Sequence, residues 1–445
     1  MNAICRAKRD RPTNRRMHVV WMAVAFGIPA CGGSEDAQPT TLRFWAMGRE
    51  GEVVQEMLRD FEVEQPGIRV RLQQIPWTAA HEKLLTAHVG RSTPDLAQLG
   101  NTWIAEFTAL RALEPLDDRI AASTTLDSTS YFAGIWETNR MQDNIYGVPW
   151  YVDTRLLFYR KDILARAGYD SIPATWSEWR TVMEAMLRVV GKDHYTILLP
   201  LNEWLPVALL GLQTGSPLLA DAGTRGAFAA PPFRRAFAFY VDLFQSGLAP
   251  PVTNTEIANL YQEFERAYFT MYITGPWNLG EFRRRLPPES QDTWATSPLP
   301  GPDGPGVSIA GGSSLVLFRG SRHKEAAWRL VEFLSRPEQQ LRFYHLTGNL
   351  PARVETWGDT ALTQDANMRA FGAQLRRVVP APKVPEWELI ATRLQERGEL
   401  AVRGSVNLDS VLAMLDRDVD RILEKRRWML EHGRLTTAGP GSTSP

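Results

Sequence analysis

Residues 147–159 read GVPWYVDTRLLFY, and they place an acidic residue between two apolar segments. The second segment, Leu156 to Tyr159, is a continuous run of large side chains, which predicts a buried strand. Asp153 lies just before that strand, where a carboxylate is costly unless another group pairs with it. An ion pair with Arg155 or another residue would meet that need, and so would a ligand. The residues alone leave both interpretations open.

Upstream of this stretch, apolar patterns of two different periods alternate along the chain. Residues 41–47 alternate with period two, as in a strand, whereas residues 53–61 place their apolar side chains on one side of a helix. Two further strands, at 68–72 and 95–99, flank a helical segment at 77–89. Alternation of strand and helix predicts a parallel sheet with helices on its faces, which is an α/β fold.

Ligands of such sheets bind beyond the carboxyl ends of the strands. The predicted strand ends are residues 45–50, 74–77 and 99–103. These three segments are therefore candidates for a binding pocket.

Downstream segments continue the pattern of strands and helices. Thr175 to Glu178 forms a capping box that predicts the start of a helix. Leu315 to Phe318 is an apolar run typical of a parallel strand buried on both faces, and residues 326–334 predict a helix after it. Residues 411–423 carry an apolar face typical of a final helix. The small, polar residues 434–445 predict a disordered tail.

The first thirty residues predict a signal peptide. A basic stretch from Arg6 to Arg16 precedes the apolar run Val19 to Ile28, which is too short to span a bilayer as a helix. We therefore expect export to the periplasm or cell envelope.

The end of that segment, Ile28-Pro29-Ala30-Cys31, resembles the lipobox of bacterial lipoproteins, in which the cysteine is diacylated after cleavage. Cys31 is thus the expected lipidation site, and residues 31–40 are the expected tether between lipid and fold. The alternative is a plain signal peptide with an incidental cysteine. The other cysteine, Cys5, lies inside the segment to be removed.

Length and charge narrow the class of protein. At 445 residues and 44% hydrophobic composition, the chain is long enough for two domains. The residues after position 30 include 44 basic and 49 acidic side chains, a net charge near −5. Such a chain offers no field that would steer phosphate, so nucleic acid is not an expected partner.

Motifs of common enzymes are missing from the sequence. It contains no phosphate-binding P-loop, no nucleophile elbow and no His-Glu-x-x-His helix. Of the seven histidines, His81 and His88 lie one heptad apart and are expected to be solvated rather than to bind metal. We expect no enzymatic activity, no metal and no cofactor.

Six ordered segments resemble the sugar-binding components of ABC importers, a family that includes maltose- and trehalose-binding proteins. The segments are Thr41 to Val70, Pro94-Asp95 through Leu116-Asp117, Tyr146 through Trp179, Gly275-Pro276-Trp277, Pro298 through Pro351, and Pro380 to Trp387. Together they cover nearly all of the chain after residue 40. The resemblance implies a monomer that binds a di- or oligosaccharide of the maltose or trehalose type and delivers it to a membrane permease.

The resemblance also implies the architecture. Two α/β lobes would be joined by hinge strands, as in periplasmic binding proteins, and each lobe would be built from discontinuous stretches of chain. Residues 41–152 and 307–352 would form the first lobe, and residues 153–306 and 353–433 the second. The hinge crossing would include Asp153 to Phe158, and closure about it would follow ligand binding.

Some ligand-binding residues are implied by the same resemblance. In Gly275-Pro276-Trp277-Asn278, Trp277 matches a tryptophan that stacks on the sugar. Asp153, with Tyr151 two residues before it, matches a ligand-binding acid, and Arg353 matches a sugar-binding arginine. Flat aromatic rings beside polar groups suit the apolar faces and polar rims of sugars. Trp45, at a predicted strand end, is a further candidate, whereas Trp103 and Trp328 fall on apolar helical stripes and are predicted to lie in the core.

Three further candidates have a structural alternative. Glu50 either binds ligand or complements the dipole of the first helix. Gly311, Gly312 and Ser313 either let a ligand approach the backbone or form a tight turn. The family often has an acid where this chain has Gly100, so Gln98 or Asn101 is expected to supply a polar contact.

Two other classes of function remain open. A secreted glycoside-acting enzyme would also combine tryptophan platforms with two carboxylates, here Asp153 and Glu50. An envelope glycan-binding module would bind long polysaccharide or another protein instead of a small sugar.

Overall fold

The computed structural model describes residues 39–404 and 406–433. The predicted signal peptide, Cys31 and the predicted tail at 434–445 lie outside the described residues. The strands are β1 (Thr40–Met47), β2 (Ile68–Ile75), β3 (Leu96–Gly100), β4 (Arg140–Met141), β5 (Asn144–Ile145), β6 (Val148–Asp153), β7 (Leu156–Arg160), β8 (Leu219–Ala220), β9 (Arg225–Gly226), β10 (Met271–Thr274), β11 (Trp294–Ser297), β12 (Ser308–Ile309), β13 (Gly311–Leu317), β14 (Leu350–Pro351) and β15 (Val378–Val379).

The α-helices are α1 (Gly48–Glu64), α2 (Trp77–Val89), α3 (Ile104–Ala109), α4 (Asp117–Ala122), α5 (Ala133–Glu137), α6 (Lys161–Arg166), α7 (Trp176–Val190), α8 (Leu205–Gln213), α9 (Pro231–Gln245), α10 (Leu260–Glu265), α11 (Trp277–Arg285), α12 (Lys324–Leu334), α13 (Pro337–Thr347), α14 (Thr360–Thr363), α15 (Ala366–Leu375), α16 (Trp387–Val402), α17 (Leu408–Ile422) and α18 (Glu424–Glu431). Short 3-10 helices include Asn101–Trp103 and Val354–Gly358. Within the described part of the chain, none of the helices has the length and apolar composition needed to cross a membrane.

A six-stranded sheet, here called the large sheet, has the order β14-β6-β13-β3-β1-β2. Its parallel strands β1, β2 and β3 confirm the sheet predicted from the alternating pattern. The predicted parallel direction of Leu315–Phe318 is wrong, because β13 runs antiparallel to both β3 and β6. A continuous apolar run reports burial on both faces, which β13 has, and burial does not fix strand direction.

A three-stranded antiparallel sheet, here called the small sheet, has the order β10-β7-β11. The stretch 147–159 therefore divides between the two sheets: β6 belongs to the large sheet and β7 is the central strand of the small one. The chain crosses between them at Thr154 and Arg155. It returns to the large sheet in β13 and β14, so this is a two-lobe α/β fold in which each lobe is discontinuous in sequence.

The crossing is fixed by hydrogen bonds to β12. The Ser308 hydroxyl accepts from the Arg155 amide nitrogen at 3.1 Å and donates to the Arg155 carbonyl oxygen at 2.7 Å. The Thr154 hydroxyl donates to the Ile309 carbonyl oxygen at 3.1 Å. Because β12 pairs in parallel with β15, a second short strand pair supports the point where the chain passes between the sheets.

The final return of the chain begins later than predicted. The 3-10 helix Val354–Gly358 packs against α13 and β14 on the large sheet, whereas α15 packs against β11 and β7 of the small sheet. The chain therefore leaves the large sheet after Gly358 and not at residue 353.

Candidate functional site

A buried polar network ties together four strands, β1, β3, β6 and β13, where they approach the cleft between the sheets. Gln98 Nε2 donates to Tyr151 Oη at 3.2 Å and to Ser313 Oγ at 3.3 Å, and Ser313 Oγ donates to the same phenol at 3.1 Å. Gln98 Oε1 accepts from the Met47 amide nitrogen at 2.8 Å. Burial, and next the Glu50 carboxylate, raise the pKa of Tyr151, so the phenol stays neutral. The predicted site residues Gln98, Tyr151 and Ser313 thus meet, and the network fixes β1, β3, β6 and β13 relative to one another.

Glu50 lies in the first turn of α1 with only 8% of its surface exposed. Its Oε1 accepts from Asn349 Nδ2 at 2.9 Å, a contact that joins the start of α1 to the segment after α13. Gly48 has a φ of +49°, and a Cβ there would meet Trp77 Cδ1 at 2.8 Å. The glycine thus allows the Trp77 ring to approach the start of α1, beside the Glu50 carboxylate.

Asp153, Arg155 and Trp277 form a contiguous group at the crossing between the sheets. Asp153 Oδ1 pairs with Arg155 Nη1 at 3.0 Å, and the Arg155 guanidinium carbon lies 4.3 Å from the centroid of the Trp277 ring. The Trp277 side chain is nevertheless 42% exposed, an unusual state for a large aromatic residue. The predicted acid and the predicted tryptophan are thus brought together by an arginine.

Two glycines of β13 are required by the packing around this group. A Cβ at Gly311 would lie 2.1 Å from Asp153 Oδ1. Gly312 has a φ of +117°, and a Cβ there would lie 2.3 Å from the Tyr151 carbonyl oxygen. Both glycines therefore allow β13 to approach the end of β6 closely.

A cavity of about 230 Å³ opens beside Trp277. On one side it is lined by Trp277 and Arg283 of α11, and on the other by Tyr344 and the residues Thr347 and Gly348 at the end of α13. Gly348 precedes Asn349, the hydrogen-bond partner of Glu50. The cavity thus lies between α11 and the end of α13, and Asp153, Arg155 and Glu50 are not among its lining residues.

A pair of tryptophans lies at the ends of the parallel strands. Trp77 and Trp103 meet edge to face with their ring centroids 5.7 Å apart, and both rings are half-buried. The predicted core position of Trp103 is therefore wrong, whereas Trp328 is buried as predicted. Trp77 and Trp103 both lie at predicted strand ends, and that position indicated their partial exposure better than helical spacing did. Next to Trp103, Thr102 Oγ1 donates to Glu388 Oε1 of α16 at 2.8 Å, a contact that joins the two lobes.

Trp45 and Asn101 lie farther from open space than expected. Trp45 is half-buried within β1, and the Lys83 ammonium lies 5.3 Å from its ring. Asn101 is 93% buried, with Oδ1 accepting from Ser314 Oγ at 3.1 Å, and its Nδ2 has no partner among the described residues.

Arg353 is buried inside the lobe built on the large sheet, where the sequence had predicted a contact with ligand. Its guanidinium donates to the Thr125 carbonyl oxygen at 2.7 Å and to the Ser335 carbonyl oxygen at 3.3 Å, and it pairs with Glu355 at 2.7 Å. It also lies over the Tyr131 ring. The physical reason is that β14 pairs with β6 as an edge strand, so the residue that follows turns into the lobe and binds its loops together.

The two-lobe fold, with aromatic and charged groups at the crossing between the sheets, defines a class of protein that binds a ligand between lobes. A family model described as bacterial extracellular solute-binding protein matches residues 47–341. The chain belongs to this family.

Individual relatives agree with this assignment. The solved structure of the sugar-binding protein MalE from Xanthomonas citri is 50% identical, covers 88% of this chain and 99% of its own, and superposes with a TM-score of 0.86. A putative binding protein of Brucella abortus is 26% identical over 384 residues, which is 85% of this chain and 91% of that protein. An uncharacterised lipoprotein of Streptomyces antibioticus is 26% identical over 392 residues, which is 83% of this chain and 84% of that protein. None of these names describes an enzyme.

We predict that Arg353→Ala lowers the free energy of unfolding of the ligand-free protein by about 3 kcal/mol, because the buried carbonyl oxygen of Ser335 and the half-buried one of Thr125 lose their donor. Urea denaturation would measure it. The matched control is Arg235→Ala, which removes an exposed arginine paired with Asp303 and should cost less than about 1 kcal/mol. Equal stabilities of the two variants would contradict the structural role of Arg353.

We also predict a pH-dependent contribution to stability from His81. Its Nε2 lies 2.6 Å from Glu106 Oε2, and its ring lies 5.0 Å from that of Trp103. The hydrogen bond to Glu106 raises the pKa of His81, burial opposes it, and the carboxylates of Glu106, Glu388 and Glu82 raise it further. Because the folded-state pKa is the higher one, the stabilisation is complete below the unfolded value of about 6.5 and is lost as pH rises through the folded value.

The measurement is urea denaturation of wild type and His81→Gln at about pH 5.5 and about pH 8.5. The stability difference between them should be larger at the lower pH. A difference that grows with pH would contradict the assignment.

Proposed function

We propose that this chain is the substrate-binding component of an ABC importer, and that it binds a di- or oligosaccharide of the maltose or trehalose type between its lobes and delivers it to a membrane permease. The observation that carries the proposal is the exposed Trp277 ring beside the Asp153–Arg155 pair, next to a cavity between the lobes. An apolar plate beside charged hydrogen-bonding groups matches the two kinds of surface on a sugar. Membership of the solute-binding family, and 50% identity to a sugar-binding protein, support this choice of ligand.

The proposed roles follow from the place of each side chain relative to the crossing and to the strand ends. Trp277 supplies the stacking plate, and Asp153 accepts from a sugar hydroxyl. Glu50, held by Asn349, faces the ligand from the opposite lobe. Trp77 and Trp103 supply a second aromatic surface at the strand ends. The buried residues Gln98, Tyr151 and Ser313 act through these groups by fixing where the strands end.

The proposed mechanism uses the two-lobe fold. A sugar that contacts Trp277 on one lobe and Glu50 on the other gains both sets of contacts only when the lobes are close together. Ligand binding therefore favours the closed arrangement, and a permease that recognises that arrangement responds to the loaded protein alone.

The binding role is tested with Trp277→Ala. Calorimetric titration with maltose and with trehalose should show binding to wild type by at least one of them and a Kd about tenfold to a hundredfold weaker for the variant. The ligand-free melting temperature should hardly change, because the ring is exposed. Trp428→Ala removes a ring of similar exposure, 44%, on α18 and should leave Kd unchanged. Wild-type protein that binds no sugar, or a variant that binds as wild type does, would count against the proposal.

We further propose that Cys31 is diacylated and anchors the protein to the membrane from the periplasmic or envelope side. The lipobox-like sequence before Cys31 and the related Streptomyces lipoprotein support this proposal. Cys31→Ser should move the protein from the membrane fraction to the soluble envelope fraction and leave sugar affinity unchanged, since Cys31 precedes β1 in the chain. Ala30→Ser is the control, because a small residue remains before the cysteine. Full membrane retention of the Cys31 variant would overturn the anchor.

A further inference from the structure

Arg155 lies between the two groups that the proposed function assigns to the sugar. Its Nη1 is 3.0 Å from Asp153 Oδ1, and its guanidinium lies over the Trp277 ring at 4.3 Å. Only 20% of the Arg155 side chain and 23% of the Asp153 side chain are exposed. A ligand that contacts both the acid and the ring cannot avoid the guanidinium between them.

The position of this guanidinium is fixed before any ligand arrives. The Arg155 backbone is bonded at both its amide and its carbonyl to Ser308, so the chain is held at the root of the side chain. The stacking contact with Trp277 and the ion pair with Asp153 hold its far end. A long, flexible side chain thus loses little further freedom when it binds.

Most of the hydrogen-bonding capacity of Arg155 is unused. A guanidinium carries five N–H donors in a planar fork. Within residues 39–404 and 406–433, the Arg155 side chain makes one hydrogen bond, the one to Asp153. The group therefore presents free donors directly beside a carboxylate that only accepts.

This combination matches two neighbouring hydroxyl groups on a sugar ring. Each hydroxyl can donate one hydrogen bond and accept others. One hydroxyl can donate to the Asp153 carboxylate while its neighbour accepts from the Arg155 guanidinium. We propose that Arg155 is a ligand-contacting residue that, together with Asp153, recognises a vicinal diol on the sugar unit that stacks on Trp277. The proposal rests on the proposed function.

In the opposite role, Arg155 would act as a plug: its guanidinium would cover the Trp277 ring and keep the sugar from stacking on it. The exposure of Trp277 argues against this role, because 42% of the side chain remains open while the guanidinium is in place. The two roles predict opposite effects of removing the charge: loss of the donor weakens binding, whereas loss of a plug strengthens it.

The test uses the full mature chain, and its probe is maltose or trehalose, whichever binds wild type. Arg155→Met keeps the apolar stem and removes the donors, and it should weaken Kd about tenfold to a hundredfold, as expected for a charged hydrogen bond. Arg155→Lys keeps the charge and part of the donor set and should fall between wild type and Arg155→Met. Arg266→Met removes another arginine that lies over an aromatic ring, that of Tyr268, and should leave Kd unchanged.

Monodeoxy analogues of the same sugar distinguish a direct contact from a structural effect. With wild type, we expect removal of either of two adjacent hydroxyls to weaken Kd about tenfold or more. With Arg155→Met, removal of one of the two hydroxyls should no longer weaken Kd, whereas removal of the other should still weaken it. With Asp153→Asn, it is removal of that second hydroxyl that should weaken Kd less than it does in wild type.

The outcomes separate this proposal from the proposed function. If wild type binds no sugar, the function itself fails, and this proposal fails with it. If wild type binds a sugar and Arg155→Met, with an unchanged melting temperature, binds it equally well or more tightly, the function stands and the role of Arg155 is overturned. If Arg155→Met does not fold, the Lys variant and the deoxy series decide, because a wild type with no pair of adjacent sensitive hydroxyls also overturns the proposal.

Discussion

The ion pair between Asp153 and Arg155 spans the point at which the chain passes from one sheet to the other. Asp153 is the last residue of β6 in the large sheet, and Arg155 directly precedes β7 in the small one. A carboxylate at this position needs a partner, because it is only 23% exposed. The partner is Arg155, two residues further along the crossing, and it is held in turn by Trp277 and Ser308. The charged group, the aromatic plate and the crossing between the lobes are therefore one structural unit.

The rest of the large sheet supports this unit. The end of β6 is fixed by the hydrogen bonds of Tyr151 to Gln98 and Ser313, which lie on the two strands β3 and β13. Glycine at 311 leaves room for the Asp153 carboxylate, and glycine at 312 accepts a backbone angle that other residues avoid. Buried, fully paired polar groups of this kind hold strands in one arrangement, because any shift would leave donors or acceptors unpaired.

The sequence predicted best where a pattern has one physical cause. The sequence correctly predicted β1 from the period-two alternation at 41–47 and α1 from the apolar helix face at 53–61. Each of these patterns follows from burying one side of a regular element. The acid at 153 and the tryptophan at 277 were identified by resemblance, and the structure places them together. Predictions were wrong where one pattern has two causes. The apolar run at 315–318 reports burial without strand direction, and Trp103 fits a helical stripe although it lies at the end of a strand.

Arg353 and Arg155 show why side-chain roles were harder to predict. An arginine after a short strand can point to solvent or into the lobe, and the choice depends on carbonyl oxygens from distant segments, here those of Thr125 and Ser335. Arg155 was recognised as a possible partner of Asp153, but its stacking on Trp277 depends on a contact across more than a hundred residues. Sequence spacing carries no information about such contacts.

The location of this unit also bears on how binding can be coupled to movement of the lobes. Arg155 is anchored to β12, β12 pairs with β15, and the segment after β15 carries Lys383, whose ammonium pairs with Glu137 at 2.5 Å. Arg155 is thus connected, through the Ser308 hydroxyl and the backbone pairing of β12 with β15, to an ion pair between the segment after β15 and α5. Coupling of ligand binding to lobe movement requires an element whose arrangement depends on both the ligand and the lobes. The crossing is such an element, because each lobe is bonded to it. Under the proposed function, contact of the sugar with Asp153 and Arg155 at the crossing would therefore make the position of the lobes depend on ligand binding.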